Sequence, residues 1–578
     1  MTKTQAQNKE LSLFFEAHPG LEILELLVPD MNGIIRGKRL AVSEAEHLFS
    51  KGINFPAATH LLDSSGNVID GLILGTDDGD PDVTAKPVKN SLSSIPWLDK
   101  SAAQVMITMF DRNNEHYANE SRNILRQVIQ KFEADGLRAT VAVELEFYLI
   151  HNKDALSIIP RHGPVPGTIL QDEGPQVYSM EDLRELDPFF NQLKETCEVQ
   201  NIPMGTTISE FSRGQFETNL HHVDDPLLAA DHAILLRRAV RETAKSFGLG
   251  ATFMAKPFME TAGSGMHIHI SLKNEKGDLL FQTNSKQATD YNQNVKNAVG
   301  GLAQTMEEGM AIFCPNANSY RRFQPGFFAP ITPNWGPNHR NLSIRIPLSD
   351  PDNLRIEHRA AGADANPYLV MACVLAGIHY GLINKITPPA MIAESEIIDP
   401  EITLPVKWDK SLDAFENATV LNVYLGNDYS NLFLRSRRCE MERFNSQISN
   451  KDYRVAGFSL PDEAGPLDDG FALAESELNF NANVDDKFFA NLTFALASDG
   501  GETEVELEEA YIQSLAIPGG INVTGGRFFS GMGYLNGFHT HTDNFADRPL
   551  SYEVFLGGQY KDDGVQVRWL LPTQRFLE

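Results

Sequence analysis

Five short segments of this 578-residue chain follow the two-residue period of a β-strand, and each sorts its residues into one apolar and one ionic face. A strand places residues i, i+2 and i+4 on the same side. Over residues 141–150 the apolar side is Val141, Val143, Leu145, Phe147 and Leu149, and the other side carries Glu144 and Glu146. Met266, Ile268 and Ile270 oppose His267, His269 and Ser271, while Phe216, Thr218 and Leu220 oppose Gln215, Glu217 and Asn219. Leu342, Ile344 and Ile346 oppose Ser343 and Arg345, and Ile356 opposes Arg355, Glu357 and Arg359. One such strand describes a sheet with a wet side. Five that carry glutamate, histidine and arginine describe a sheet whose second face does ionic chemistry.

Carboxylates that converge raise one another's pKa unless cations stand between them. Divalent ions of the Mg²⁺ or Mn²⁺ kind suit a set of carboxylates with imidazole. Arginine forks match phosphate and carboxylate groups. Metals and arginines, with no Ser or Cys nucleophile beside a His, point to phosphoryl transfer onto a carboxylate. Neither Gly-x-x-x-x-Gly-Lys-Ser/Thr nor Gly-x-Gly-x-x-Gly occurs, so a nucleotide must be held by another architecture.

Charge narrows the partners. With 49 Lys+Arg against 77 Asp+Glu the chain carries a net charge of −28, which disfavours nucleic acid and anionic membranes. The four cysteines have no metal-ligand spacing and read as reduced thiols. The N-terminus lacks a charged-then-apolar signal pattern, and the apolar stretch 368–383 is too short and interrupted to span a bilayer. Residues 1–452 are therefore expected to be cytoplasmic, with no membrane partner. A break follows: residues 1–452 carry a net charge of −15 and residues 453–578 a net of −13 in about a fifth of the length, with every cysteine upstream.

Before the break, helical and strand-like segments mix. Helical periodicity covers residues 121–135, 225–247 (Asp225 as cap, Pro226 in the first turn) and 366–383. Strands over 21–27 and 33–42 flank an Asp30-Met-Asn-Gly33 turn. After the break, alternation over 478–484 and along Phe488, Ala490, Leu492, Phe494 and Leu496, then a strand over 504–512, predicts an antiparallel meander without helices.

The ordered motifs Asp30-Met-Asn-Gly-Ile-Ile-Arg-Gly-Lys38, Val143-Glu-Leu-Glu-Phe147, Gly214-Gln-Phe-Glu217, Gly263-Ser-Gly-Met-His-Ile-His269, Asn318-Ser-Tyr-Arg-Arg322, Ser343-Ile-Arg-Ile-Pro347, Arg355-Ile-Glu-His-Arg359 and Ala365-Asn-Pro-Tyr368 resemble the glutamine synthetase superfamily over about residues 20–452. Within it the wording is most similar to the amine-using γ-glutamylputrescine synthetase branch. The resemblance implies an α+β fold: an N-terminal extension (1–19), a β-grasp domain (20–117) and a catalytic domain (118–452) with antiparallel half-barrel strands, followed here by a foreign β-rich tail (453–578). It implies homo-oligomeric rings with sites between subunits. It also implies ATP and two or more Mg²⁺ or Mn²⁺ ions, one on Glu146, Glu210 and Glu217, the other on Glu144, His267 and Glu357. Gly263, Arg322 and Arg359 match glutamate-holding positions. Arg340 and Arg345 match those facing the nucleotide phosphates, with His269, Ser271 and Arg355 on the nucleotide side. Arg322, Arg340 and Arg359 would support the chemistry itself.

Three departures from ammonia-using members bear on the acceptor. Phe55-Pro-Ala-Ala-Thr59 replaces a segment with an ammonium-binding Asp, Pro325-Gly-Phe-Phe328 lacks the flap Glu, and Ala262 stands where Asn is usual. The expected acceptor is thus an amine with an organic tail, putrescine or similar, packing against Phe327 and Phe328. The tail, with Gly525-Gly-Arg-Phe-Phe-Ser-Gly-Met-Gly-Tyr534, resembles a fragment of a bacterial outer-membrane β-barrel, and His539-Thr-His541-Thr-Asp543 reads as a polar loop.

Overall fold

The structure is a computed structural model and describes residues 3–69, 78–98, 101–152, 158–165, 171–172, 177–284, 289–323, 329–397, 402–447, 476–485, 487–499, 502–515, 517–529 and 561–569. Phe327, Phe328, His539 and His541 lie outside the described residues. The chain divides into two compact units, Met1–Ser446 and Gln447–Glu578.

The first unit opens with a six-stranded sheet in the order β2-β1-β6-β4-β3, with β5 on β6. Its strands are β1 (Ile23–Pro29), β2 (Ile35–Ala41), β3 (Ile53–Pro56), β4 (Asp82–Pro87), β5 (Ser93–Ser94) and β6 (Ala102–Phe110). β1 and β6 run parallel and the other pairs antiparallel. Leu24, Leu26 and Val28 pack with Val105 and Ile107 and with Leu48 and Phe49 of the helix Ala45–Lys51. The turn between β1 and β2 is fixed by Asp30, whose buried carboxylate accepts from the backbone of Asn32 (2.8 Å) and Ile34 (3.0 Å) and from Arg36 Nε (2.9 Å). Gly33 supplies the φ of +72° that closes it. Asn366 Nδ2 donates to Asp30 O at 3.0 Å, tying this turn to the cap of a helix more than 300 residues away.

The second sheet has nine strands, in the order β11-β12-β7-β14-β17-β16-β15 with β8 and β13 also on β7. These are β7 (Leu137–Asn152), β8 (Ile158–Pro160), β11 (Met204–Ser209), β12 (Gln215–Leu220), β13 (Gly250–Thr252), β14 (Met266–Asn274), β15 (Trp335–Pro337), β16 (Ile344–Ile346) and β17 (Ile356–His358); β9 (Gly163–Pro164) and β10 (Gln171–Asp172) form a separate pair. Its apolar face is covered by the helices Ser121–Ala134, Pro226–Ser246, Gln293–Phe313 and Pro367–Asn384, whose side chains share one core with Val141, Val143, Leu145, Ile268 and Ile270. Asp225 Oδ1 caps the second helix through Leu227 N, and Asn366 Oδ1 caps the fourth through Tyr368 N. Among the described residues Pro367–Asn384 is the one helix long and apolar enough to cross a membrane, and 78% of it is buried inside the protein.

Two expected strands are shorter than the alternation predicts. β16 begins at Ile344 because Ser343 N donates to Asn334 Oδ1 (3.0 Å) rather than to a ladder. β17 keeps Ile356–His358, leaving Arg355 and Arg359 as its flanks.

The second unit contains a five-stranded antiparallel sheet in chain order: β18 (Ser476–Asn483), β19 (Phe488–Asp499), β20 (Glu502–Ser514), β21 (Ile521–Phe529) and β22 (Lys561–Trp569). Its described residues include no helix.

Candidate active site

Register turns the ionic faces into a site. Glu144 of β7 lies opposite His267 of β14, Glu146 opposite Glu217 of β12, and Glu357 of β17 opposite both His269 of β14 and Arg345 of β16. Cross-strand partners stand about 5 Å apart at Cβ, so five strands deliver their charges to one place. His267 is the hub: Nδ1 is 3.3 Å from Glu144, 3.8 Å from Glu357 and 4.0 Å from Glu217, and Nε2 is 3.8 Å from Glu146.

A cavity of about 410 Å³ opens over this cluster, lined by Glu144, Glu146, Glu210, Glu217, Gly263, His267, Arg322, Arg340, Arg345 and Arg359 among others. A neighbouring cavity of about 290 Å³ is lined by His269, Ser271 and Arg355, and Glu144 borders both. Glu357 is fully buried beneath them, held at 2.5 Å by Arg345 Nε and at 2.5 Å by Arg359 Nη1. The structure therefore brings the residues expected to bind metal, glutamate and nucleotide to one of two adjoining cavities or to the floor between them, while Phe327 and Phe328, expected at the acceptor, lie outside the described residues. At Gly263 an added Cβ would stand 2.6 Å from Arg322 Cγ and 2.7 Å from Ala255 O, so only glycine lets the backbone approach this closely.

The electrostatics divide the carboxylates into two classes. Burial, then the adjacent Glu210 carboxylate, pushes Glu146 up to about 8. Burial and then the carboxylates of Glu144 and Glu146 drive Glu217 well above the ordinary range, and burial raises Glu210 too. Against burial, His269 and then His267 hold Glu144 low. Also against burial, Arg359 and then His269 hold Glu357 down to about 2. Burial, then Arg359, lowers His267 to about 4, leaving a neutral imidazole. Three carboxylates forced toward protonation, Glu217 buried and Glu146 and Glu210 half-buried, beside a neutral imidazole, form a donor set that a divalent cation fits. Ligand atoms within 4.8 Å of one another group as Glu146, Glu210 and Glu217; as Glu144, Glu217 and His267; and as Glu144, His269 and Glu357. The first group is the trio the resemblance assigns. Of the other two, one places Glu357 with Glu144 and His269 and the other places His267 with Glu144 and Glu217, although His267 Nδ1 stands 3.8 Å from Glu357. His269 Nε2 lies 2.9 Å from Glu144 Oε1 without the alignment of a hydrogen bond.

Sequence reasoning missed several lining residues. Gln215 stood on an ionic face but drew no role; its Nε2 donates to Gly263 O (3.1 Å) and bridges toward Glu146 (3.4 Å). Tyr178, whose hydroxyl accepts from Arg340 Nη2 at 3.2 Å, lies outside any alternating strand and left no signal. His221 and His222 follow β12 at the second cavity, where a polar pair directly after Leu220 was the available clue.

The sequence of residues 118–456 matches the glutamine synthetase catalytic domain. The chain belongs to the glutamine synthetase family. It is 37% identical over 447 residues to gamma-glutamylputrescine synthetase PuuA of Escherichia coli (strain K12), covering 77% of this chain and 94% of that protein. It is 30% identical over 445 residues to glutamate–isopropylamine ligase of a Pseudomonas species, covering 76% and 95%. Among solved structures, apo GmaS without ligand superposes with a TM-score of 0.65 at 25% identity, covering 76% of this chain and 98% of that one. The α+β architecture with a half-barrel antiparallel sheet is thus the glutamine synthetase fold, and this protein is an enzyme of that family, which is ATP- and divalent-metal-dependent.

Proposed function

We propose that this glutamine synthetase family member is an ATP-dependent ligase joining the γ-carboxylate of glutamate to an amine such as putrescine. The observation that carries the reading is the cavity in which carboxylates, imidazole and four arginines meet, with no serine or cysteine among the described residues that line it. The relatives named for putrescine and isopropylamine support the amine as acceptor.

In this reading Arg322 and Arg359, beside Gly263, bind glutamate and orient its side-chain carboxylate. Arg340 and Arg345 face the ATP phosphates, and His269, Ser271 and Arg355 flank the nucleotide in the adjoining cavity. Mg²⁺ or Mn²⁺ held by Glu146, Glu210 and Glu217, and by Glu144 with His267 and Glu357, would supply charge neutralisation to the polyphosphate. The glutamate carboxylate takes the γ-phosphoryl group and ADP leaves; the amine nitrogen then attacks the acyl phosphate, phosphate departs and the nitrogen loses a proton. The arginines offset the charge that develops on the transferring group.

The acceptor preference rests on chemistry around residues 55–59. Phe55 is buried under Lys38 Nζ (4.4 Å to the ring centroid), and this segment contributes no carboxylate of its own to hold ammonium. A ring-shaped homo-oligomer with sites between subunits, and a cytoplasmic setting, belong to the same reading.

The test is phosphate release with ATP, Mg²⁺ and glutamate against a panel of amines. Putrescine or a similar amine should show a kcat/KM at least about tenfold above ammonia's, about 1.4 kcal/mol of differential transition-state binding. Equal or better use of ammonia would make the protein a glutamine synthetase in the narrow sense.

A further inference from the structure

Every backbone carbonyl from Ala262 to Gly265 accepts a hydrogen bond, and at the first two the donor is a side chain. The Tyr148 hydroxyl donates to Ala262 O at 2.6 Å, and Gln215 Nε2 donates to Gly263 O at 3.1 Å. Ser264 O and Gly265 O are held instead by the backbone, from Ala363 N at 2.9 Å and Glu146 N at 3.1 Å. Tyr148 and Gln215 are both buried. Register explains why they meet: Gln215 of β12 lies directly opposite Tyr148 of β7, one step along the ionic face from the pair Glu217 and Glu146.

Gln215 is committed at both ends of its carboxamide. Oε1 accepts from Ser212 N at 3.3 Å and lies 3.4 Å from the Tyr148 hydroxyl. Nε2 has two hydrogens; besides Gly263 O it donates to Glu146 Oε2 at 3.4 Å. Ser212 N–H is a donor and Gly263 O an acceptor, so the amide has one orientation. Ala262 N donates to Ser212 Oγ at 2.7 Å, which ties the segment to the same turn that holds the amide. Glu146 Oε2 also accepts from Gly265 N at 2.7 Å. With Oε2 so occupied, Oε1 is the oxygen turned to the charge cluster, 3.8 Å from His267 Nε2. One buried side chain therefore bonds both a carboxylate of the Glu146, Glu210 and Glu217 group and the backbone of Gly263.

We propose that Gln215 is a positioning residue: its Nε2 sets the carboxylate of Glu146 for a divalent cation and the backbone of Gly263 for the amino-acid substrate, while Tyr148 fixes the neighbouring carbonyl. The inference rests on the ligase reading for the identity of that substrate, glutamate, and not for the cation. Hydrogen bonds to a ligating carboxylate orient it, and removing such a partner costs about 10–100-fold in metal affinity or activity. The two residues divide the work. Tyr148 donates to the substrate-holding segment, whereas Gln215 donates to that segment and to the cation ligand.

The test compares the full chain with its Gln215→Met and Tyr148→Phe variants. Mn²⁺ binding is read by electron paramagnetic resonance without substrates, and phosphate release with an amine at saturating Mn²⁺ gives KM for glutamate and for ATP. Gln215→Met should weaken Mn²⁺ binding and raise the glutamate KM, each about tenfold or more, with the ATP KM within about twofold. Tyr148→Phe loses one hydrogen bond, so the glutamate KM should rise about threefold to tenfold while the Mn²⁺ dissociation constant stays within about twofold. Gln215→Asn keeps a polar group but is one methylene too short to span Gly263 and Glu146; it should follow Gln215→Met and serves if methionine prevents folding. The proposal is overturned if a folded Gln215 variant keeps the parent's Mn²⁺ affinity or its glutamate KM. It is also overturned if the Gln215 and Tyr148 variants shift Mn²⁺ affinity and both KM values alike, as general loosening of the core would do. If no amine, ammonia included, supports phosphate release by the parent, the ligase reading falls alone, and unweakened Mn²⁺ binding in the Gln215 variants remains the result that overturns the proposal.

Discussion

The two large sheets of this protein are written in the same alternating code and folded to opposite ends. In the nine-stranded sheet, Val141, Val143, Leu145, Ile268 and Ile270 are sealed under helices, and the ionic face is left to bound a cavity. Among the described residues of the five-stranded sheet, Phe480, Ile512, Val567 and Trp569 stand exposed on one face, while the other shelters the bonded Asn479, Asn491 and Thr493 and the half-buried rings of Phe489, Tyr511 and Phe528. Two-residue periodicity therefore establishes that a strand has two unlike faces without establishing which one is inside. In the first unit the arbiter is a set of four helices rich in apolar side chains; the described residues of the second unit offer nothing of that kind.

The same substitution should separate the two sheets most sharply. Val143→Asp buries a carboxylate with no partner in a fully closed core, a loss of several kcal/mol that should prevent the first unit from folding. Val567→Asp, on an exposed position, should change thermal stability in water by no more than about 0.5 kcal/mol. Comparable losses of thermal stability in the two variants would break the comparison.

Next comes the ionic face. Glu357→Ala should lower phosphate release by about 10²–10³-fold or more. It should also lower thermal stability, because Arg345 and Arg359 would lose the buried carboxylate that both contact. Near-normal turnover in a folded variant would remove Glu357 from the site.

Acid should act on the first unit through the buried imidazole of His60. Burial lowers His60 to about 4, below its usual 6.5. The unfolded chain therefore binds this proton first, so the stability His60 contributes is present above pH 6.5 and is lost as the pH falls through 4. The shift amounts to at most about 3 kcal/mol. Unfolding midpoints of the parent and His60→Gln, measured from pH 7 to 4.5, should converge toward the acid end; parallel curves would refute the assignment.

The smallest expected effect is on catalysis when the tail is removed. A chain ending at Tyr453, and a second carrying a native-like family end, should keep turnover within about twofold of the full chain, as expected of separate compact units. Both should lose the tendency of open sheet edges to self-associate. Loss of activity in both would mean that the tail supports the enzyme.

Much of the site was legible because its residues sit on strands whose alternation is local. Glu144, Glu146, Glu217, His267, His269, Arg345 and Glu357 could be selected from period alone. Glu210, Gly263, Arg322 and Arg340 needed the family motifs, since they lie on turns and loops where no period operates. Tyr178 carried no signal, because its meeting with Arg340 joins residues 162 positions apart in the chain.

By itself the sequence determined which residues share a face, where three helices of the first unit lie, and the break in character near residue 452; the sheet-covering helix Gln293–Phe313 was not among them. Tertiary structure decided the rest: that His267 faces Glu144 and Glu217 faces Glu146, that Glu357 is held between two arginines, and that the last sheet turns its apolar side outward. Side-chain alternation is a property of each strand alone. Register, and the choice of which face is covered, belong to pairings between distant segments, and a one-residue slip would have sent every one of those charges to the other side.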